Sequence, residues 1–167
     1  MMRHLLAILA LPFMVVVVLP TLIVGSERRM DTRWPLEWPA ALIPWGFGLV
    51  LWLGGFLLSA WCVRLFAQVG RGTLAPWDPP ERLVIAGPYL RVRNPMISGV
   101  VGMLLGEAVA LGSALLLALA GGFWLLNHLY FVISEEPGLR RRFGDTYGAY
   151  KTNVPRWVPR WTPWQQA

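Results

Sequence analysis

The chain has 167 residues, of which 56% are hydrophobic and only 14% charged. Soluble domains carry roughly 25% charged residues, so this balance excludes an ordinary water-soluble globule and points to a membrane protein. The net charge of +6 does not call for nucleic acid, because the basic residues flank apolar runs, where anionic lipid is the cheaper partner.

Leu5 to Ser26 is free of charged residues over 22 positions, about the length that crosses a hydrocarbon core roughly 30 Å thick. Arg3 precedes it as in a signal peptide, but the run exceeds an h-region and no A-x-A site follows. It reads as a first spanning helix. Trp38 to Val63 gives a second, 26 uncharged positions bounded by Trp38 at one end and by Trp61 and Arg64 at the other, the pattern of interfacial anchors. Its Cys62 is the single cysteine of the chain, which excludes an intramolecular disulfide and a CxxC motif. No metal is expected.

Gly70 to Pro95 breaks the composition with Gly70, Gly72, Pro76, Pro79, Pro80, Gly87, Pro88 and Pro95. Prolines at that density forbid a continuous helix, so the segment reads as a structured loop. The block from Asn94 to Ser134 covers 41 positions and holds one acid, Glu107, and one histidine, His128. It is too long for one crossing, and Pro95–Leu111 and Ala114–Ser134 read as a helical hairpin turning at Gly112-Ser113. Gly102 and Gly106 form a small-xxx-small pair, which suits close packing within the chain or in a dimer. The oligomeric state stays open.

After Ser134, Glu135-Glu136-Pro137 continues or restarts the helix. Leu139, Phe143, Tyr147 and Tyr150 then make one face of an amphipathic helix, with Arg140, Arg141 and Asp145 opposite, suited to the membrane surface. The closing VPRWVPRWTPW cannot be helical and offers Trp157, Trp161 and Trp164 to an interface. One topology collects twelve basic residues on one side against three, Arg28, Arg29 and Arg33, on the other. By the positive-inside rule both termini are cytoplasmic. The expected fold is thus an all-α polytopic membrane protein of about four transmembrane helices, the last two a hairpin, with a cytoplasmic amphipathic C-terminal helix. It is a single domain of two scaffold spans (1–69), a cytoplasmic loop (70–94), a hairpin (95–134) and a tail (135–167).

Two clusters can carry chemistry. In GPYLRVRNPM a phenol (Tyr89), two guanidiniums (Arg91, Arg93) and an amide (Asn94) converge at the start of a spanning helix, where helix N-termini attract anions. Read as boundary markers, the arginines would only set topology. The second cluster is His128 with Glu135, seven residues on and so on nearly the same helix face, and Glu136 beside it. Glu107 is an ion inside an apolar run, but lies close enough to the Gly112 turn to snorkel outward. It is left out of the site.

GPYLRVRNP, then a two-helix apolar block, then EEPGLRRRFGDTYGAYKTNVPRWVP together resemble the isoprenylcysteine carboxyl methyltransferase and phospholipid methyltransferase superfamily of integral membrane enzymes. The resemblance spans roughly Gly70 to Pro159 and implies S-adenosylmethionine as cofactor, bound at the cytoplasmic side. Carried over by position, Glu81, Arg82, Leu83 and Val84 would line the nucleoside, with Tyr89 near it. Asn94, Pro95, Met96 and Ile97 would wall the site, and Arg91 and Arg93 would grip the methionine carboxylate. Glu135 and Glu136 would hold ribose hydroxyls or the ammonium. His128 or Glu136 would be the catalytic base for a protonated amine, while a carboxylate acceptor needs none.

Two positions depart from the pattern. Asn94 stands where members often have histidine, and Tyr130-Phe131-Val132-Ile133-Ser134 lacks the arginine of eukaryotic prenylcysteine enzymes. A phospholipid amine, a thiol or another small lipophilic acceptor is therefore expected at least as much as a prenylcysteine-like carboxylate. The other reading of the chain is a non-catalytic membrane accessory or transport protein that retains the fold. The expected partners are a lipophilic methyl acceptor and membrane lipids.

Overall fold

A computed structural model describes residues 12–27, 34–70 and 83–165 of the chain. Arg3, Arg28, Arg29, Arg33 and Arg71, which enter the topology count, lie outside the described residues, as do Glu81 and Arg82 and most of the proline-rich loop. The described residues are helical, with no strand among them, as expected for an all-α membrane protein. Five α-helices follow in order: α1 Leu19–Glu27, α2 Leu42–Leu65, α3 Pro95–Leu111, α4 Ala114–Tyr130 and α5 Glu136–Asn153, the last kinked at Gly144, which has φ 50° and ψ −127°. Short wide turns of π-helix precede α1 (Met14–Val18), follow α2 (Phe66–Gly70) and join α4 to α5 (Phe131–Glu135).

Two of these wide turns share a cause. Each ends two residues before a proline, Pro20 in one case and Pro137 in the other. Proline has no N–H and its ring collides with the carbonyl four residues back. The helix answers by reaching back five residues: Leu19 N–H donates to the Met14 carbonyl and Glu136 N–H to the Phe131 carbonyl. Each such turn inserts one extra residue.

The 24 residues of α2 rise about 36 Å at roughly 1.5 Å each, enough to cross a bilayer. The helix starts at Leu42 rather than Trp38, because Trp38 to Ala41 form a turn. Ile43, Val50 and Leu57, one heptad apart, are among its well-exposed apolar side chains. A soluble protein rarely shows such a stripe to water, whereas acyl chains solvate it. α2 and the helix that runs on through α4 and α5 are long and apolar enough to span, and α3 is a shorter apolar helix.

The chain divides into two compact units. The first takes the residues up to Leu57 together with Gly99–Trp124. Val16, Val100, Met103, Leu104 and Ala120 form its core. Here α2 and α3 meet backbone to backbone: a Cβ on Gly48 would lie 2.5 Å from the Gly106 carbonyl oxygen, and one on Gly106 only 2.8 Å from Trp52 N. The Gly102/Gly106 pair is thus used against α2 of the same chain. Glu107 does not snorkel. Its Oε1 accepts from Trp52 Nε1 at 3.1 Å, and its Oε2 is buried without a partner among the described residues. The predicted turn falls where expected, with Gly112 at φ 66°. That left-handed backbone suits glycine, and Ser113 Oγ caps α4 by accepting from Leu116 N at 3.0 Å.

The second unit takes Leu58–Ser98 with the residues from Leu125 on. Its apolar content falls in two clusters. Cys62, Val84 and Tyr89 pack with Leu58, Leu65, Phe66 and Met96. Tyr147, Tyr150 and Val154 pack with Leu83, Ile85, Leu139, Phe143 and Trp164. The second is the expected apolar face of α5, while Arg140, Arg141 and Asp145 stay exposed.

The glycine contacts give a paired test. Gly48→Ala forces a methyl group into backbone that cannot move aside, and should destabilise the protein by about 1–3 kcal/mol. Gly121→Ala, with nothing within 4 Å, should be neutral or raise stability by up to about 1 kcal/mol. Thermal unfolding in detergent micelles reads both.

Candidate functional site

The motif from Gly87 to Met96 folds by local rules. Ala86 is extended, and Gly87, at φ 56°, reverses the chain into a 3₁₀ turn over Gly87–Leu90 with Pro88 in its first positions. A Cβ on Gly87 would press on Leu65 and Trp61 at 3.0–3.2 Å. Tyr89 and Val92 are buried, Arg91 is exposed, and Arg93 turns inward with its side chain 11% exposed. The Asn94 carbonyl accepts from both the backbone N–H and the hydroxyl of Ser98, so Asn94 stands at the N-terminal boundary of α3 with Pro95 in its first turn. The structure therefore separates two arginines that are equivalent in the sequence.

A strap from the C-terminal tail fixes this geometry. Arg93 N–H donates to the Pro155 carbonyl at 2.9 Å, Arg160 N–H to the Arg91 carbonyl at 3.0 Å and Trp164 N–H to the Leu90 carbonyl at 2.9 Å. The two segments run antiparallel, since rising numbers on one meet falling numbers on the other. Of the three tryptophans expected to face an interface, Trp157 turns in and donates Nε1–H to His128 Nδ1 at 3.0 Å, and Trp164 packs on the Tyr150 ring at 5.8 Å. Trp161 alone projects outward, 94% exposed.

At the centre lies Glu136, 7% exposed. Its Oε1 accepts from Arg93 Nη1 at 2.5 Å, from Arg156 Nε at 3.0 Å and from Arg156 Nη2 at 2.7 Å, while Lys151 Nζ is 2.7 Å from Oε2. Burial works against its charge, but the hydrogen bonds from Lys151 and Arg156 and the charge of Arg93 win, and hold the carboxyl below its usual range. Glu135 is the opposite case. It makes no hydrogen bond or ion pair among the described residues, and burial, with the Glu136 charge beside it, pushes its carboxyl up to about 7. Adjacent acids thus sit in opposite protonation regimes.

The wide turn at Phe131–Glu135 explains which acid meets His128. In a regular helix the residue seven after His128 shares its face, but one inserted residue shifts the phase by about 100°. Glu136 therefore takes the place expected of Glu135, and Arg156 bridges it to His128, with Nη1 3.5 Å from Nδ1. Acceptance of the Trp157 N–H at Nδ1 leaves the ring proton on Nε2 in the neutral imidazole.

The other expected site residues scatter. Leu83 packs with Tyr147 and Tyr150, whereas Val84 packs with Cys62 and Tyr89. Met96 lies in the Cys62 cluster, Pro95 is buried and Ile97 half-buried. The Tyr89 hydroxyl is engaged with the Cys62 thiol, and its carbonyl accepts from Tyr150 Oη at 2.8 Å. Burial pushes the phenols of Tyr89 and Tyr150 upward, so both stay protonated at neutral pH. Arg156, Lys151 and Trp157 were not read from the sequence as part of the site. VPRW occurs twice, at 154–157 and 158–161, so the motif alone does not single out Arg156 and Trp157.

Three cations face one carboxylate here, and the Nε of Arg93 is buried with no partner among the described residues. Such a donor suits an incoming carboxylate, because a guanidinium binds it as a two-pronged fork. The phospholipid methyltransferase family model matches residues 45–146. The chain belongs to that family. The matched stretch holds Arg93, Glu135 and Glu136, and ends before Lys151, Arg156 and the strap. No curated protein matches the chain significantly.

The two acids make opposite predictions for stability against pH. The folded-state carboxyl of Glu135 is raised from 4.5 to about 7, so its contribution is fully present below about pH 4.5 and is lost as pH rises through about 7. Glu135→Gln should remove this decline, giving a flatter profile of thermal stability between pH 5 and 8.

Proposed function

We propose that the protein transfers a methyl group from S-adenosylmethionine to an amphiphilic acceptor that reaches the site from the bilayer, and that the site lies at the cytoplasmic face. The observation that carries this reading is the inward Arg93, whose unpartnered buried Nε adjoins an ion cluster in which three cations face the one carboxylate of Glu136. Membership of the family supports methyl transfer, and the excess of basic residues on the loops of that side supports the orientation.

Bound there, the cofactor would supply a methyl group already activated by its sulfonium. The residues need mainly to align donor and acceptor and keep water out. Arg93 would receive the methionine carboxylate. Glu136, fixed by Arg156 and Lys151, holds Arg93 in that orientation, and its own lone pairs are too heavily engaged for it to serve as a base. Glu135 fits proton transfer better than Glu136 or His128, because its carboxyl titrates close to neutral pH, whereas His128 Nδ1 is occupied by the Trp157 indole. An acceptor that arrives protonated would yield its proton to Glu135, and a carboxylate acceptor would not need it.

Calorimetry of S-adenosylmethionine against protein in detergent is the direct test. Arg93→Gln should weaken binding by about 10–100-fold, the equivalent of roughly 1.5–3 kcal/mol for a charge-assisted bond. Folded parent protein that binds no cofactor even at millimolar concentration overturns the proposal. With binding in hand, labelled cofactor offered to lipid extracts and to a prenylcysteine analogue separates the acceptor classes. Glu135→Gln should lose transfer to a protonated amine while keeping cofactor affinity within a few-fold.

A further inference from the structure

The strap holds two apolar side chains away from the protein by its own hydrogen bonds. Between the Pro155 carbonyl, bonded to Arg93 N–H, and Arg160 N–H, bonded to the Arg91 carbonyl, the chain turns Arg156 and Trp157 inward onto Glu136 and His128. Val158, 75% exposed, and Trp161, 94% exposed, point outward. The exposure does not come from a loose end. Arg160 Nη1 donates to the Asn153 carbonyl at 2.9 Å, and beyond Trp161 the backbone is fixed again at Trp164.

The position of this tip is set by the span beside it. The Arg91 carbonyl that accepts from Arg160 lies four residues before Pro95, the first residue of α3. A 3.0 Å backbone bond therefore places the tip where that apolar helix begins, at the level where a span enters the bilayer. Arg91 is exposed beside it. Tryptophan and arginine together at this depth are the composition of an interfacial belt, the indole among upper acyl segments and the guanidinium on phosphate.

We propose that the tip Val158–Trp161 is a membrane-interface anchor, with Trp161 and Val158 seated in the headgroup–acyl boundary and Arg91 paired with lipid phosphate, more strongly in anionic bilayers. This ties the strap, and through its three backbone bonds the inward pose of Arg93, to the membrane surface. The inference does not depend on methyl transfer.

Parent protein and Trp161→Phe, reconstituted in phosphatidylcholine nanodiscs whose lipids carry bromine high on the acyl chain, provide the test. The parent-minus-variant emission isolates Trp161, and bromine should quench most of it. Including phosphatidylglycerol should deepen the quenching in the parent and not in Arg91→Gln. A difference emission that stays unquenched and lies at water-exposed wavelengths overturns the proposal. Unquenched but blue-shifted emission shows that protein covers the tip, and also overturns it. A nitroxide at Val158→Cys, with the buried Cys62 left unlabelled, reads depth independently of tryptophan. Stronger relaxation by oxygen than by a water-soluble nickel chelate supports the anchor, and the reverse sinks it.

Discussion

Removing a carboxylate from water costs several kcal/mol unless charge and hydrogen bonds replace the lost solvation, and Glu136 meets that cost with three cations drawn from three parts of the chain. Arg93 comes from the motif before α3, Lys151 from the last turn of α5 and Arg156 from the strap. Loss of Glu136 would leave the largely buried Arg93 and Arg156 without their counter-charge. The ion cluster therefore couples the loop, the helix and the tail, alongside the apolar cluster in which Tyr147, Tyr150 and Val154 pack with Leu83, Ile85 and Trp164. Tyr150, through the Tyr89 carbonyl, adds a neutral tie between the same loop and helix.

The cluster also sets the chemistry available beside it. By keeping Glu136 ionised it places a negative charge next to Glu135, and that charge, added to burial, keeps Glu135 protonated into the neutral range. Two adjacent residues of one type thus divide the roles of fixed anion and titrating acid. Separation of like groups by environment is a common route to acid–base function.

In the first unit the constraint is steric. Gly48, Gly55 and Gly106 let α2 and α3 approach until backbone meets backbone, which shapes a contact that side-chain packing cannot make in lipid, where apolar side chains gain nothing by leaving a solvent as apolar as themselves. The same approach brings the Trp52 indole to Glu107 and accounts for an acid that would otherwise be stranded in an apolar helix.

The sequence by itself determined the apolar run of α2, the hairpin turn at Gly112-Ser113, the apolar face of α5 and the break in helix after Asn153. Each rests on local causes: an uncharged run of sufficient length, a glycine free to adopt positive φ, a helical period, a set of prolines. Tertiary structure alone decided which of Arg91 and Arg93 enters the site, that Glu136 and not Glu135 meets His128, and that Arg156 and Trp157 belong with them. Those outcomes depend on contacts between residues tens of positions apart and on a helical phase that one inserted residue shifts by about 100°, and neither quantity is carried by residue types in a short window.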